Sequence, residues 1–196
     1  MLAQLRAAIV TLLALTLLTG VAYPLLVTGI ARVAFSRQAR GSLILDKDGK
    51  ALGSSLIGQP FDDPKYFWSR PSATPDANGK PLPYNGQSSY ASNLGPTNPA
   101  LTDAVKGRIE RLRAADPDSQ GPVPVDLVTA SGSGLDPQIS PAAALYQAHR
   151  VAKSRGLGEP HVRDLIASHT TAPGLGVLGE AGVNVLELNL ALDARQ

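Results

Sequence analysis

From Ala7 to Ala31 the chain carries no charged side chain, and Arg6 and Arg32 bracket the gap. As a helix this run extends about 37 Å, against a bilayer hydrocarbon core of about 30 Å. It is long enough to span a membrane with some tilt, and everything after it is polar enough for water. The run therefore predicts one membrane anchor, residues 1–35, carrying one soluble domain, residues 36–196.

A cleaved secretory signal is the rival reading. Gly20-Val21-Ala22 is a small-residue site of the kind a signal peptidase accepts, with Arg6 as the basic region before it. The apolar run nevertheless continues through Pro24-Leu25-Leu26-Val27 to Ile30, beyond the length of a signal's apolar core. A retained anchor fits better. Within it, Tyr23-Pro24 predicts a kink, because a helix-interior proline removes one backbone hydrogen bond and clashes with the preceding turn. Thr19, Gly20, Thr28 and Gly29 lie nearby, and small or hydroxylated residues are what packed membrane helices place at their contacts. The span is expected to pack against other membrane subunits.

All 16 acidic residues and 16 of the 18 basic ones lie beyond residue 35, so the soluble part is neutral by count. The pI near 9.0 has no clustered cationic face behind it, which argues against nucleic-acid binding. With no cysteine, structural disulfides, thiolate zinc sites and cysteine nucleophiles are excluded. Arg6 and the terminal amine face Arg32, Arg37 and Arg40 across the span, a bias that by itself favours a cytoplasmic soluble domain.

Along the soluble part, Asp46-Lys47-Asp48-Gly49-Lys50 between apolar residues predicts a hairpin turn, with a second short strand from Ser55 to Gly58. Residues 60–99 are rich in Pro, Gly, Asn and Ser, yet hold Phe61, Tyr66, Phe67, Trp68, Tyr84 and Tyr90. They read as an ordered loop region pinned by aromatics. Asn98-Pro99 and Ser140-Pro141 are helix starts. Leu101, Val105, Ile109 and Leu112 form one stripe, and Leu145, Ala148 and Ala152 another that Gly156 can end. A third helix begins near Glu159, with Val162, Leu165, Ile166 and His169 at helical spacing. From Val183 to Leu192 leucines alternate with Glu187, Asn189 and Ala191, which predicts a half-buried strand. The fold class is α+β.

Few motifs carry chemistry. Gly174-Leu175-Gly176-Val177-Leu178-Gly179 has dinucleotide-fingerprint spacing but lacks the strand-then-helix context that fingerprint requires. No Walker-type loop occurs, and His161 and His169 are too far apart on one helix for a metal pair, so no metal site is expected. His149 reads as a helix-surface or core residue. The strongest cluster runs from Val128 to Pro141, where Ser131, Gly132, Ser133 and Gly134 interleave hydroxyls with glycines and Gln138 lies just before a helix start. It has three readings: a phosphate cradle, a serine-nucleophile loop, or a tight structural turn.

That segment, with Tyr23-Pro24-Leu25, Thr28-Gly29-Ile30, Gln38-Ala39-Arg40-Gly41-Ser42-Leu43-Ile44 and Ile57-Gly58-Gln59-Pro60-Phe61, resembles the C subunit of the Kdp-type potassium-transporting ATPase. So do Tyr66-Phe67-Trp68-Ser69-Arg70-Pro71-Ser72-Ala73, Ser92-Asn93-Leu94-Gly95-Pro96-Thr97-Asn98-Pro99, Pro124-Val125-Asp126-Leu127 and the stretch from Val183 to Leu192. The resemblance implies a single-pass accessory subunit in the inner membrane, without catalysis of its own. Its implied partners are a channel-like potassium-translocating subunit and a P-type ATPase subunit. It is implied to serve assembly and activity, and as a catalytic chaperone to raise the ATPase subunit's affinity for ATP.

The family's soluble domain is placed outside the cytoplasm, against the arginine count, and there it could not touch cytoplasmic ATP. A nucleotide or partner contact is expected at Ser131, Gly132, Ser133, Gly134 and Gln138, with fold-ordering or channel-subunit contact favoured over ATP. ATP enters only through the complex, and no other cofactor is expected. The rival functions are a membrane-anchored hydrolase using Ser131 or Ser133 and a secreted binding module released after Ala22.

Overall fold

The structure, a computed structural model, describes residues 2–119 and 121–194. Packing divides the chain into two units, Met1–Leu43 and Ile44–Gln196.

The first unit is helical. α1 (Leu2–Leu17) runs through a π-helical turn (Leu18–Ala22) into α2 (Tyr23–Ala34), and the short α3 (Ser36–Ala39) follows. Gln4–Ala34 is a continuous helical stretch of 31 residues whose most apolar 18 average a hydropathy of 2.1, long and apolar enough to cross a membrane, and none of it is buried. The π turn answers the proline. In a straight α-helix the Pro24 ring would press on the carbonyl four residues back, to which it has no N–H to give. Here the Tyr23 N–H reaches five residues back to the Leu18 carbonyl, widening the turn just before the ring. The Thr19 hydroxyl donates to the Leu15 carbonyl at 2.7 Å. The π turn thus accommodates the proline within the chain itself.

β1 (Leu43–Leu45) pairs with β2 (Ala51–Ser54) across the expected turn. Asp46 Oδ1 accepts from the N–H groups of Asp48 at 2.9 Å and Lys50 at 2.8 Å, and Gly49 takes φ +78°. The second strand is therefore Ala51–Ser54 and not Ser55 to Gly58: a tight turn hands the chain straight to its partner. The same device recurs at Asp76, whose Oδ1 accepts from Asn78 and Lys80, each at 2.8 Å, with Gly79 at φ +77°.

α4 (Pro99–Ala115), α5 (Pro141–Arg155) and α6 (Glu159–Ser168) begin where their proline-led starts indicate. Asn98 accepts from Ala100 N–H, Ser140 accepts from Ala143 N–H, and Gly156 ends α5 in the left-handed conformation. On α5 the buried face is Ala143, Ala144, Gln147, Ala148, Val151 and Ala152, whereas Leu145 is exposed, contrary to the expected stripe. Small alanines let α6 approach closely, with Val162, Leu165 and Ile166 facing inward.

Residues Val183 to Leu192 do not form the expected strand. Only Gly182–Asn184 is extended (β5), the centre of an antiparallel sheet between β3 (Gln138–Ile139) and β4 (Thr170–Thr171). Val185–Asp193 is α7, capped by Asn184, whose side chain accepts from Glu187 N–H at 3.1 Å. Its buried residues Val185, Leu188, Asn189 and Leu192 recur at helical spacing. The leucine alternation is an alias of a helix apolar on most sides. The signal that separates the two is Asn184 with Glu187 three residues on, a capping pair.

The aromatic segment is ordered as expected, and side chains order it. Phe67 N–H donates to Asn189 Oδ1 at 2.8 Å, and Asn189 Nδ2 returns a bond to the Phe67 carbonyl at 3.0 Å. Gln147 does the same for Trp68, at 2.8 and 3.1 Å. Arg150, only 3 % exposed, donates to Gln147 Oε1 at 2.6 Å and to the carbonyls of Tyr66 and Pro64. These buried amides stand in for a neighbouring strand, and Phe67 and Trp68 enter the core. Further on, the Tyr84 hydroxyl donates to the Arg70 carbonyl, and burial pushes its phenol up to about 12.

Asn189→Ala is expected to leave the Phe67 N–H and carbonyl buried without partners, costing about 2–4 kcal/mol in urea unfolding followed by Trp68 fluorescence. Tyr84, raised from 10.0 to about 12, contributes stability that is full below pH 10 and lost as pH rises through about 12. In an ultraviolet titration of the native protein it should release its proton last. Tyr84→Phe should abolish that late step and cost about 1 kcal/mol.

Candidate functional site

The Ser-Gly loop lies between the short helical turn Val125–Leu127 and β3. Its five expected site residues do not converge on one cleft. Ser131 and Gly134 are buried, whereas Gly132, Ser133 and Gln138 are exposed. Ser131 Oγ accepts from Gly134 N–H at 2.9 Å, and Ser133 Oγ accepts from Leu135 N–H at 3.1 Å. Neither hydroxyl is hydrogen-bonded to a histidine or carboxylate among the described residues.

The loop's backbone is also engaged. Ser131 N–H donates to the Pro71 carbonyl at 3.2 Å. The Ser133 carbonyl accepts from Tyr90 N–H at 2.9 Å and from the Ser89 hydroxyl at 3.2 Å. The Gly134 carbonyl accepts from Ser72 Oγ at 2.7 Å, and the Leu135 carbonyl accepts from Gly58 N–H at 3.0 Å. Gly134 has φ +69°, and a Cβ there would meet Thr74 Cγ2 and the Tyr90 carbonyl, each at 2.6 Å. The interleaved serines and glycines therefore tie the irregular segment 58–90 to the core. Of the amides that a phosphate cradle would aim outward, that of Ser131 is spent on this tie and those of Gly134 and Leu135 on the loop's own serine hydroxyls.

Gln138 sits apart on β3, opposite Asn184, and lines a cleft of ≈ 580 Å³ with Asp126, Asp136, Glu180 and Arg70. Asp136 Oδ2 pairs with Arg70 Nη1 at 2.9 Å, and Asp126 Oδ2 accepts from Ser140 N–H at 2.7 Å. The GxGxxG stretch forms an exposed turn closed by a Gly174–Leu178 bridge, between β4 and β5. No helix N-terminus follows it, so the amides of a dinucleotide site are not presented there.

His149 Nδ1 lies 2.9 and 3.0 Å from the two oxygens of Asp116, which is buried where α4 ends. Asp118 completes a group whose ligand atoms lie within 4.8 Å of one another. Its carboxylate is held by Lys153 Nζ at 2.9 Å, and that bond keeps the Asp118 carboxyl below its usual range. The cluster is an internally paired network, with a lysine where a metal would need an open ligand.

Sequence reasoning missed the densest cationic–aromatic assembly. Trp68 lies between two guanidiniums, Arg111 Cζ at 4.6 Å and Arg150 Cζ at 4.3 Å from its ring centroid. Burial pulls the Arg150 guanidinium down to about 10. Next along the chain, Arg155 lies 4.9 Å from the Tyr66 ring centroid and pairs with Asp193 at 2.7 Å. The arginines come from α4 and α5 and the rings from the loop, so only the fold brings them together.

Comparison with known proteins covers nearly the whole chain. The family model described as "KdpC: K+-transporting ATPase, c chain" matches residues 5–194. A Sorangium cellulosum protein named "Potassium-transporting ATPase KdpC subunit" is 65% identical over 193 residues, 98% of this chain and 98% of the relative. Proteins of the same name from Polaromonas naphthalenivorans and Methylococcus capsulatus are 66% identical over 190 residues and 61% over 189. Those two alignments cover 97% and 96% of this chain, and 94% and 96% of the relatives. With a match this long and this close at both ends, the chain belongs to the KdpC family.

Proposed function

We propose that the chain is an accessory, non-catalytic subunit of an ATP-driven potassium-import complex, acting through assembly with a channel-like subunit and a P-type ATPase subunit. The carrying observation is similarity to KdpC subunits of potassium-transporting ATPases over 98% of both chains. The Ser131 and Ser133 hydroxyls, spent on backbone N–H groups and unpaired with any base among the described residues, support a non-catalytic role. They weigh against the serine-hydrolase reading.

Residues 1–35 serve as the membrane anchor in the plasma membrane, and 36–196 as the soluble domain, on its outer side. The fully exposed apolar stretch Gln4–Ala34 supports an environment of lipid and partner helices. On that side of the membrane, any effect on the ATPase subunit's affinity for ATP is transmitted through subunit contacts. The Ser131–Gln138 loop then orders the domain and shapes its face toward the channel subunit.

The absence of cysteine makes the orientation directly measurable. A single Lys80→Cys substitution, at an exposed turn position, should be labelled by a membrane-impermeant maleimide on intact cells carrying the complex. Labelling only after lysis would place the domain inside and overturn this topology. In the reconstituted complex, Ser133→Ala should keep potassium-stimulated ATPase activity, because its hydroxyl caps only Leu135 N–H. Gly134→Ala should destabilise the subunit by at least about 1–2 kcal/mol and reduce its assembly. Activity lost in Ser133→Ala with stability unchanged would instead make the loop a ligand contact.

A further inference from the structure

A cavity of ≈ 330 Å³ opens between the aromatic segment and α4. Its walls mix apolar and polar surface and include the rings of Phe61, Trp68 and Tyr84. Into this setting the fold places three guanidiniums, Arg70, Arg108 and Arg111. Arg108 and Arg111 are three residues apart on α4 and so share one helix face.

Their charges are incompletely met from within. Arg111 stacks on Trp68 and pairs with Asp62, but that carboxylate is 74% exposed and the pair is a weak surface contact. Arg70 binds Asp136 through Nη1, while its Nε is buried with no partner. Arg108 donates to the Val128 carbonyl at 2.7 Å and has no carboxylate within salt-bridge distance among the described residues. Partial burial of that guanidinium penalises its charge and lowers its pKa. Three arginines thus line a cavity whose one lining carboxylate is Asp62, the Asp136 that pairs with Arg70 belonging to the neighbouring cleft. A partly buried guanidinium without a counter-ion is costly, and its planar fork suits carboxylate or phosphate.

We propose that this cavity binds a small organic anion, its phosphate or carboxylate head on Arg108 and Arg111 and its apolar body against Trp68 and Phe61. None of Ser131, Gly132, Ser133, Gly134 and Gln138 lines this cavity, and the proposal does not depend on the subunit assignment above. Aromatic and proline walls give the apolar body a surface to cover, and covering it shields the charge-assisted bonds at the head from solvent. Asp62, at the exposed end of its pair with Arg111, gives way to the incoming anion.

Trp68 is the chain's only tryptophan and lines this cavity, so a ligand-induced change in tryptophan fluorescence in the folded protein has a single source. Full-length protein in detergent is titrated with phenyl phosphate, benzoate and, as a neutral control, benzyl alcohol. A saturable Trp68 response to at least one anion is expected, and which anion binds tighter identifies the head group. Arg108→Gln and Arg111→Gln should each weaken that binding about tenfold or more. Arg108→Lys should restore part of it, and Arg163→Gln, on α6 away from the cavity, should leave it unchanged. If Arg108→Gln fails to fold by circular dichroism, Arg111→Gln, whose side chain is 56% exposed, decides the matter. The proposal is overturned by no saturable response to either anion, by binding that survives Arg111→Gln, or by benzyl alcohol binding as tightly as the anions.

Discussion

Two side-chain amides anchor the aromatic segment of the second unit to its helices. Gln147 on α5 and Asn189 on α7 each exchange a pair of hydrogen bonds with one residue of a loop, Trp68 and Phe67 respectively. An amide side chain offers a donor and an acceptor in the same relation as a peptide group, so it can replace a strand neighbour. Without that replacement, burying two consecutive aromatics in an irregular segment would strand four backbone groups away from water. With it, the rings fill the space between helices and the loop needs no sheet.

Arg150 closes the arrangement. Its guanidinium is buried among carbonyls and the Gln147 oxygen, with the Trp68 face beside it. It gathers lone pairs that helix and loop cannot otherwise use, and its residual charge is eased by the nearby Asp116 carboxylate. The Ser-Gly loop performs the complementary task at the other end of the segment, taking up Gly58, Ser72, Ser89 and Tyr90 through its carbonyls. The irregular segment is thus held by polar groups that are individually modest and act together.

What could be read beforehand follows from how local each determinant is. Asn98-Pro99, Ser140-Pro141, Gly156 and the Asp-Gly turn act within a few residues, and all do what their chemistry dictates. Val183 to Leu192 misled because leucines at every second position satisfy both a strand and a helix buried on most sides; Asn184 with Glu187 decided it locally. Leu145 falls at helical spacing with Ala148 and Ala152, yet the close approach of α6 selects alanines for the buried face and leaves it exposed. Gln147, Asn189 and Arg150 were illegible for another reason: their partners lie between 79 and 122 residues away for the amides and 84 to 86 for the arginine. The arginines around the cavity share that difficulty, since each comes from a different stretch or pairs with one.

The π turn ahead of Pro24 also changes the rotational phase of the helix. Each residue of an α-helix advances about 100° around the axis, so Gly20 and Gly29 would lie on opposite sides of a regular helix. A π turn advances less per residue than an α-helix, so the residues after Ala22 are rotated back around the axis by up to about 100° relative to a regular helix. The bulge that relieves the proline ring therefore also re-aims every side chain of α2, and no single stripe of a regular helix runs the length of the span.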